Sequence, residues 1–118
     1  MTDLDAIRQY RDVAAWYEFL FFECRPLRIF KDCPRALAIH EERRQRRMRE
    51  AERTLRQAER ALNSLPRQEW KTALISRYIL QRDHMEAADA MYVCETTERR
   101  YEYAAIKYLE ARDAQKRL

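Results

Sequence analysis

Apolar residues recur every three or four positions along the start of the chain, which is the pattern of an amphipathic helix. The stripe and the residues that widen it are Leu4, Ile7, Tyr10, Val13, Ala14, Trp16, Tyr17, Leu20 and Phe21. Thr2 and Asp5 have the spacing of a capping box, so we expect this helix to begin near Thr2.

Two prolines within 24–34 predict a break after the first helix. We expect three apolar residues of this break to pack on the core, namely Leu27, Ile29 and Phe30. A long second helix is predicted from Arg35 to about Ser64, because no helix breaker lies between them. Its apolar residues form a heptad seam, which consists of Met48, Ala51, Leu55, Ala58 and Leu62. The seam either packs antiparallel on the first helix or forms a homodimer.

Residues 41–50, just before the seam, carry five arginines and three glutamates. The arginines spread around the helix rather than along one face; they are Arg43, Arg44, Arg46, Arg47 and Arg49. A solvated helix with ion pairs such as Glu42–Arg46 explains this composition. The alternative is a patch that contacts phosphates.

A different pattern begins after Pro66, with a short amphipathic helix predicted over 70–79. A second, very short helix is predicted over 84–91, because Asp83 and Glu86 have the spacing of a capping box. Small residues in it would allow another helix to cross closely, namely Ala87, Ala88 and Ala90.

Residues 92–94 are predicted to form a tight turn, in which Val93 fills the corner, before a longer helix from Glu95 to about Ala114. The expected buried stripe of that helix is Tyr101, Ala104, Ala105, Tyr108 and Leu109. A short helix, a three-residue turn and a longer helix form the helix-turn-helix plan.

The chain of 118 residues contains no glycine and three prolines. Tight hairpin turns depend heavily on glycine, whereas alanine, glutamate, arginine and leucine favour helices. We therefore predict an all-α fold in two parts. A helical hairpin or arm is expected over 1–64, and a helix-turn-helix bundle over 65–118.

Charged residues make up 37% of the chain, with 24 Lys and Arg against 20 Asp and Glu, for a net charge of +4. This surplus permits binding to nucleic acid or an acidic partner without requiring it.

No glycine-rich phosphate loop or HExxH motif occurs, and neither His40 nor His84 has an evident nucleophile partner. We expect no enzyme activity, metal or cofactor. His84 is interpreted as a surface residue at a helix start.

The cysteines include no CxxC pair; they are Cys24, Cys33 and Cys94. Their spacing to His40 matches no common zinc motif, so we expect free, mostly buried thiols in a reducing compartment.

Met1 leads into acidic residues rather than a basic and then apolar run, so we expect no signal peptide and a cytoplasmic protein. The apolar stretch 13–22 is interrupted by Glu18 and is too short to span a bilayer, so no membrane is expected.

The segment 65–109 contains a pattern shared with a known family. Its residues are Leu65 and Pro66 at the opening, Leu74, Arg77, Tyr78 and Ile79, then Glu86, Ala88 and Met91, then Val93, Cys94 and Glu95 at the turn, and finally Arg100, Ala105, Ile106 and Leu109. The segment resembles region 4 of bacterial sigma factors, and more closely the sigma-region-4-like domains of small phage and prophage regulators of late-gene transcription. Those proteins often carry a helical N-terminal arm, which 1–64 would supply.

Three positions depart from the family pattern. Glu98 stands where an apolar residue usually faces the core. Cys94 replaces the usual Ser or Thr, which are better N-caps. Tyr92 stands where Gly or Asn often turns the chain.

The resemblance implies that the helix beginning at Glu95 is a recognition helix lying in the major groove of double-stranded DNA. The residues expected to reach base edges are Glu95, Thr96, Thr97 and Arg100, and those expected to contact phosphates are Arg99, Lys107 and Arg82. The alternative is an ordinary solvated helix face.

Two functions follow from these patterns. The first is a transcription regulator of phage type that binds promoter DNA, with N-terminal helices that form a homodimer or dock on RNA polymerase. The second is a non-catalytic protein–protein interaction module, an adaptor or inhibitor, in which the helix-turn-helix is only scaffold. The second requires an exposed aromatic surface on the first helix, formed by Tyr10, Trp16, Tyr17, Phe21 and Phe22.

Overall fold

The computed structural model describes residues 1–22 and 33–116, and of Phe22 only the backbone. Five α-helices follow one another: α1 (Asp3–Phe22), α2 (Pro34–Asn63), α3 (Gln68–Leu74), α4 (His84–Met91) and α5 (Glu95–Lys116). No strand occurs in these ranges, so the all-α prediction is confirmed. The packing expected of Leu27, Ile29 and Phe30 lies outside the described residues.

The predicted start of α1 is confirmed by its hydrogen bonds. The Asp5 backbone N–H donates to Thr2 Oγ1 at 3.1 Å, and the Thr2 N–H donates to Asp5 Oδ2 at 3.3 Å. This reciprocal pairing satisfies N–H groups that a helix start leaves without partners. The long α2 begins at Pro34, whose missing N–H costs nothing at the first helical position.

The two long helices pack antiparallel along their length. Their side chains meet in reverse order: Tyr10 donates to Glu59 at 3.2 Å, Tyr17 donates to Glu52 at 3.0 Å, and Arg44 donates to the Leu20 carbonyl at 3.2 Å. The seam residues that are fully buried are Ala51, Ala58 and Leu62. The seam is therefore covered by α1 within the chain, as the first of the two interpretations predicts. The predicted Glu42–Arg46 ion pair is also present, at 3.5 Å.

One apolar core joins the helical hairpin to the C-terminal helices. It is built from the start of α1, the end of α2, α3 and α5, with Leu4, Ala6, Ile7, Ala58, Ala61, Leu62, Leu65, Leu74, Ala105 and Leu109 buried together. The far half of the hairpin projects beyond this core, and the described residues span 60 × 37 × 15 Å.

The predicted helix over 70–79 is present, but it changes geometry halfway. After α3 the backbone widens into a π-helical segment, Ile75–Ile79. Beyond it, the Leu80 N–H donates to the Ile75 carbonyl at 2.9 Å and the Arg82 N–H to the Ser76 carbonyl at 2.9 Å. Such widened turns are rare and bring extra residues into one turn of helix. None of the helices in the described ranges is both long and apolar enough to cross a membrane.

The turn between α4 and α5 uses a tyrosine where glycine is usual. Tyr92 has φ 57° and ψ 38°, which is the left-handed region. The Tyr92 N–H donates to the Asp89 carbonyl and the Val93 N–H to the Ala88 carbonyl, which is a Schellman closure. The left-handed conformation costs a residue with a Cβ about 1–2 kcal/mol. The Tyr92 side chain is 96% exposed, so its packing does little to offset that cost.

We expect Tyr92→Gly to raise the free energy of unfolding by about 1 kcal/mol, because relief of the left-handed strain exceeds the added entropy of the unfolded chain. Urea unfolding followed by circular dichroism measures the change. Tyr92→Ala keeps the Cβ and serves as the control, with an expected change close to zero. An equal gain in both variants would mean that the tyrosine ring, and not the backbone, is the cause.

Candidate nucleic-acid interface

The short helix α4 and the long helix α5 are joined by three residues, at the predicted positions. The predicted capping box at the start of α4 is confirmed, because Asp83 Oδ1 accepts from the Glu86 N–H at 2.8 Å and Glu86 Oε1 accepts from the Asp83 N–H at 3.4 Å. Ala87 and Ala88 are buried, as the expected close crossing requires, whereas Ala90 of the predicted set is exposed.

A cysteine occupies the position that caps α5. Cys94 Sγ lies 3.1 Å from Thr97 Oγ1, and hydrogen bonds from the Thr97 side chain and backbone lower the pKa of the Cys94 thiol. Thr97 is partly buried, and its hydroxyl contacts the capping residue Cys94. Cys94 and Cys33 are free but exposed, so the expectation of buried thiols is wrong for both, and Cys24 lies outside the described residues.

The buried face of α5 differs from the predicted one. Its buried residues are Glu98, Glu102, Ala105 and Leu109. The predicted burial of Ala105 and Leu109 is therefore confirmed, whereas Tyr101 and Ala104 are only partly buried and Tyr108 is exposed. The observed stripe has the i, i+4, i+7, i+11 spacing of a helix face and includes two carboxylates. Groups on neighbouring elements meet both carboxylates, although Glu98 Oε1 has no hydrogen-bond partner among the described residues.

Glu98 has no exposed surface, and its main partner is His84. His84 Nδ1 lies 2.8 Å from Glu98 Oε2 and 3.3 Å from Glu102 Oε2. The interpretation of His84 as a plain surface residue is therefore wrong, because it is half-buried and links α4 to α5. Burial raises the pKa of Glu98, and the nearby charge of Glu102 acts in the same direction, although the contact with His84 opposes it.

The π-helical segment supplies the partners of the second carboxylate. Arg77 Nε lies 3.3 Å from Glu102 Oε2, and the Tyr78 hydroxyl donates to Glu102 Oε1 at 3.2 Å. Burial, with the adjacent charge of Glu102, raises the pKa of the Tyr78 hydroxyl. Arg77 also donates to the Arg82 carbonyl at 2.6 Å. The network thus holds α4 and the π-helical segment at fixed positions against α5.

Three of these groups could serve as metal ligands. One donor atom from each of His84, Glu98 and Glu102 lies within 4.8 Å of the others, and a nitrogen with two carboxylates is a donor set that zinc accepts. Arg77 already neutralises Glu102, however, and His84 already bonds to Glu98. We therefore assign the cluster a structural role, which is to fix the angle between α4 and α5.

The face of α5 opposite the buried stripe carries several of the predicted DNA-contacting residues. At about 100° per residue, Thr96, Arg100, Tyr103 and Lys107 share one side of the helix. Thr96 and Arg100 are exposed, and Arg100 makes no ion pair with any described residue. Lys107 lies 3.8 Å from Glu110 and 5.4 Å from the centre of the Tyr103 ring.

The remaining predicted residues lie elsewhere. Glu95 and Arg99 form an exposed ion pair at 2.7 Å along the edge of the outer face. Arg82 is half-buried in the segment before α4, outside α5. The structure therefore brings Thr96, Arg100 and Lys107 onto one surface and leaves the others beside it.

No family model matches this chain, and neither a curated protein nor a solved structure matches it at a significant level. The likeness to sigma region 4 therefore rests on the sequence pattern alone.

The family pattern placed Glu98 at a position that faces the core, but sequence reasoning missed the network that joins it to His84, Glu102 and Arg77. The pattern that could have revealed it is the i, i+4, i+7, i+11 series that runs from Glu98 to Leu109. Two acidic residues on such a stripe require cations nearby, since an unpaired buried charge is costly.

We expect Glu98→Gln to remove a pH dependence of folding stability. The pKa of Glu98 is raised in the folded state. Glu98 therefore stabilises the wild type at pH values near or below the ordinary pKa of glutamate. This stabilisation is lost as the pH rises through the pKa of Glu98 in the folded state. Urea unfolding at pH 4.5, 5.5, 6.5 and 7.5 should show the variant gaining stability relative to wild type as the pH rises through the pKa of Glu98 in the folded state, with no further gain above it.

The matched control is Glu50→Gln, which removes a carboxylate from an exposed position of α2. Asp3, Asp5 and Asp83 have lowered pKa values, so their contributions are lost only below this pH range. A stability difference between Glu98→Gln and wild type that stays constant with pH would contradict the assignment.

Proposed function

We propose that this chain is a sequence-specific DNA-binding transcription regulator of phage or prophage type, with α5 as its recognition helix in the major groove. The observation that supports it is the outer face of α5. There Thr96, Arg100 and Lys107 stand in solvent on the side opposite the buried stripe. A recognition helix needs one such polar face, free of structural duties.

The first turns of α5 would supply the base contacts. Arg100 can pair bidentately with guanine, and the Thr96 hydroxyl can bond to more than one base. Glu95 could accept from cytosine N4 after exchanging its partner Arg99. That exchange requires little free energy, since an exposed ion pair contributes about 0–1 kcal/mol to stability. Lys107, two turns further along, would contact phosphates.

The buried network would position these groups. Specific recognition requires side chains held on a rigid element by supporting interactions. Glu98 and Glu102 fix α5 against α4 and the π-helical segment through His84 and Arg77. Thr97 contributes through the Cys94 cap rather than through DNA.

The resemblance to sigma region 4 supports the choice of phage transcription as the setting. In this proposal the helical arm of α1 and α2 forms a homodimer or docks on RNA polymerase, and so connects DNA binding to transcription.

We expect selection from random duplex DNA at physiological salt to enrich one motif with the wild-type protein. Arg100→Gln should weaken binding to that motif by about 5- to 150-fold and relax the preference at a single base pair, because one bidentate arginine–guanine contact is lost. Sequencing of the selected pools and fluorescence anisotropy on the enriched duplex measure both effects.

Arg49→Gln is the matched control, because it removes one positive charge from an exposed position on α2. It should leave the motif unchanged and the affinity within about twofold, as expected for a change in net charge alone. Enrichment of no motif, or equal losses in both variants, would rule out base recognition through α5.

A second candidate function is a protein-docking module, and a specific surface favours it. The rings of Trp16 and Phe19 are stacked with centroids 5.3 Å apart, and these side chains are 45% and 53% exposed. Phe21 is also exposed, but it lies about 140–160° around α1 from these two rings. Tyr10 and Tyr17 of the expected surface are partly buried, and the Phe22 side chain lies outside the described residues. Exposed aromatic clusters are typical of protein-binding hot spots.

Under this candidate, Trp16→Ser with Phe19→Ser should weaken binding to immobilised bacterial RNA polymerase by about tenfold or more, as expected when hot-spot aromatics are truncated. Surface plasmon resonance measures the affinity. The control is Tyr103→Ser, which removes an exposed ring from α5 and should have little effect. If wild type and both variants bind equally, or none binds, this aromatic surface does not dock the polymerase.

A further inference from the structure

An open groove of about 610 Å³ lies between α2 and the C-terminal end of α5, on the part of the molecule away from the start of the recognition helix. The start of α1 closes one side of it. Its charged lining residues are Asp3, Arg53, Arg56, Arg60, Arg112 and Lys116. Neither the buried network nor the outer face of α5 uses these residues.

The single carboxylate of the groove is already neutralised. Asp3 accepts from Arg112 at 2.8 Å, from Lys116 at 3.3 Å and from Gln57 at 3.1 Å. Burial alone would raise the pKa of Asp3, but these three hydrogen bonds lower it below the ordinary value. Asp3 therefore stays ionised and orients Arg112 and Lys116 without cancelling the positive charge of the groove.

Five cations against one carboxylate give the lining of the groove a net charge of +4. Clustered charge of one sign attracts ligands of the opposite sign far more strongly than the same charge spread over a surface.

Three of the arginines are available for a ligand. Arg53, Arg56 and Arg60 lie on one side of α2, and all three are exposed. Within the described ranges, Arg53 and Arg60 form no ion pair. Arg56 has only an exposed contact with Glu52 at 3.7 Å. Such a contact is worth little and can be exchanged for a ligand.

The chemistry of the lining selects among anions. Ala61 is the one apolar residue among the described residues that line the groove. A peptide partner would need apolar or aromatic anchor pockets, and single-stranded nucleic acid would need aromatic rings for base stacking. Guanidinium groups without such anchors match phosphate oxygens, which they bind in pairs. We propose that this groove is a binding site for clustered phosphate groups.

This site is separate from the recognition face. On α5, Arg112 and Lys116 lie about 120–160° around the helix from Arg100, and Arg112 is about 18 Å further along its axis. A straight duplex lying on the outer face would not reach the groove. The ligand is therefore a second phosphate-bearing molecule, either the backbone of another duplex segment or a free polyphosphate, and both present the same chemistry.

The test compares two triple variants of the full chain. The first, Arg53→Gln/Arg56→Gln/Arg60→Gln, removes the positive charges from the α2 side of the groove. The second, Arg43→Gln/Arg46→Gln/Arg49→Gln, removes three exposed arginines elsewhere on the same helix, and each triple breaks one exposed Glu–Arg pair. Circular dichroism verifies that both fold. Calorimetry with inorganic tripolyphosphate and anisotropy with a labelled 20-base-pair duplex of arbitrary sequence measure binding.

We expect saturable binding by the wild type and a loss of about tenfold in the groove variant, with less than about twofold in the control. If only tripolyphosphate binding depends on the groove, the ligand is a free polyphosphate. If only duplex binding depends on the groove, the ligand is a nucleic-acid backbone. Arg100→Gln should leave tripolyphosphate binding unchanged, which separates this site from base recognition by α5.

Three results would overturn the proposal. The wild type could fail to bind either probe saturably. The control triple could lose as much affinity as the groove triple, which would mean that net charge and not the groove is responsible. A poly-glutamate peptide could compete better than tripolyphosphate, which would make the groove a site for acidic protein segments instead.

Discussion

A carboxylate without access to water must find a cation inside the protein, or else take up a proton. Glu98 is in this position, and the C-terminal half of the structure is arranged around it. His84 meets it from α4, while Arg77 and Tyr78 approach the neighbouring Glu102 from the π-helical segment. A leucine at 98 would pack against many neighbours equally well. The contact of the Glu98 carboxylate with the His84 ring instead requires one geometry, so it orients α4 relative to α5.

The same helix is held at its other end by a second carboxylate. Asp3, at the start of α1, receives Arg112 and Lys116 from the last turns of α5 and Gln57 from α2. The 22 residues of α5 are therefore attached near the N-terminus to α4 and near the C-terminus to the helical arm. The apolar core between these contacts, which includes Ala105 and Leu109, supplies most of the buried surface. The two carboxylates determine the orientation in which that surface is buried.

The sequence predicted the helices well and the charged interior poorly. Capping residues and apolar spacing placed the starts of α1, α4 and α5, because these features act locally. The buried face of α5 was predicted from Tyr101 and Tyr108, since a stripe is normally sought among apolar residues. Glu98 and Glu102 can occupy buried positions because their partners His84 and Arg77 lie 14 and 25 positions away in the sequence. Local periodicity contains no information about such distant partners. Of the predicted DNA-contacting residues, only Thr96, Arg100 and Lys107 came to share a face. The groove arginines were missed because no local motif joins α2 to the end of α5.

Charge is distributed over α5 in a way that bears on function. The outer face carries Arg100 and Lys107 but is flanked by Glu95 and Glu110, so its net charge is small. A nearly neutral recognition face gains little affinity from phosphates in general, and its binding must then depend on the bases themselves. The groove on the other side carries five cations against one carboxylate, and there Asp3 orients two of the cations. Affinity for phosphate and discrimination among bases would thus reside on opposite sides of one helix. Because α5 is rigid and anchored at both ends, a ligand in the groove would also hold the helical arm and the recognition face in a single geometry.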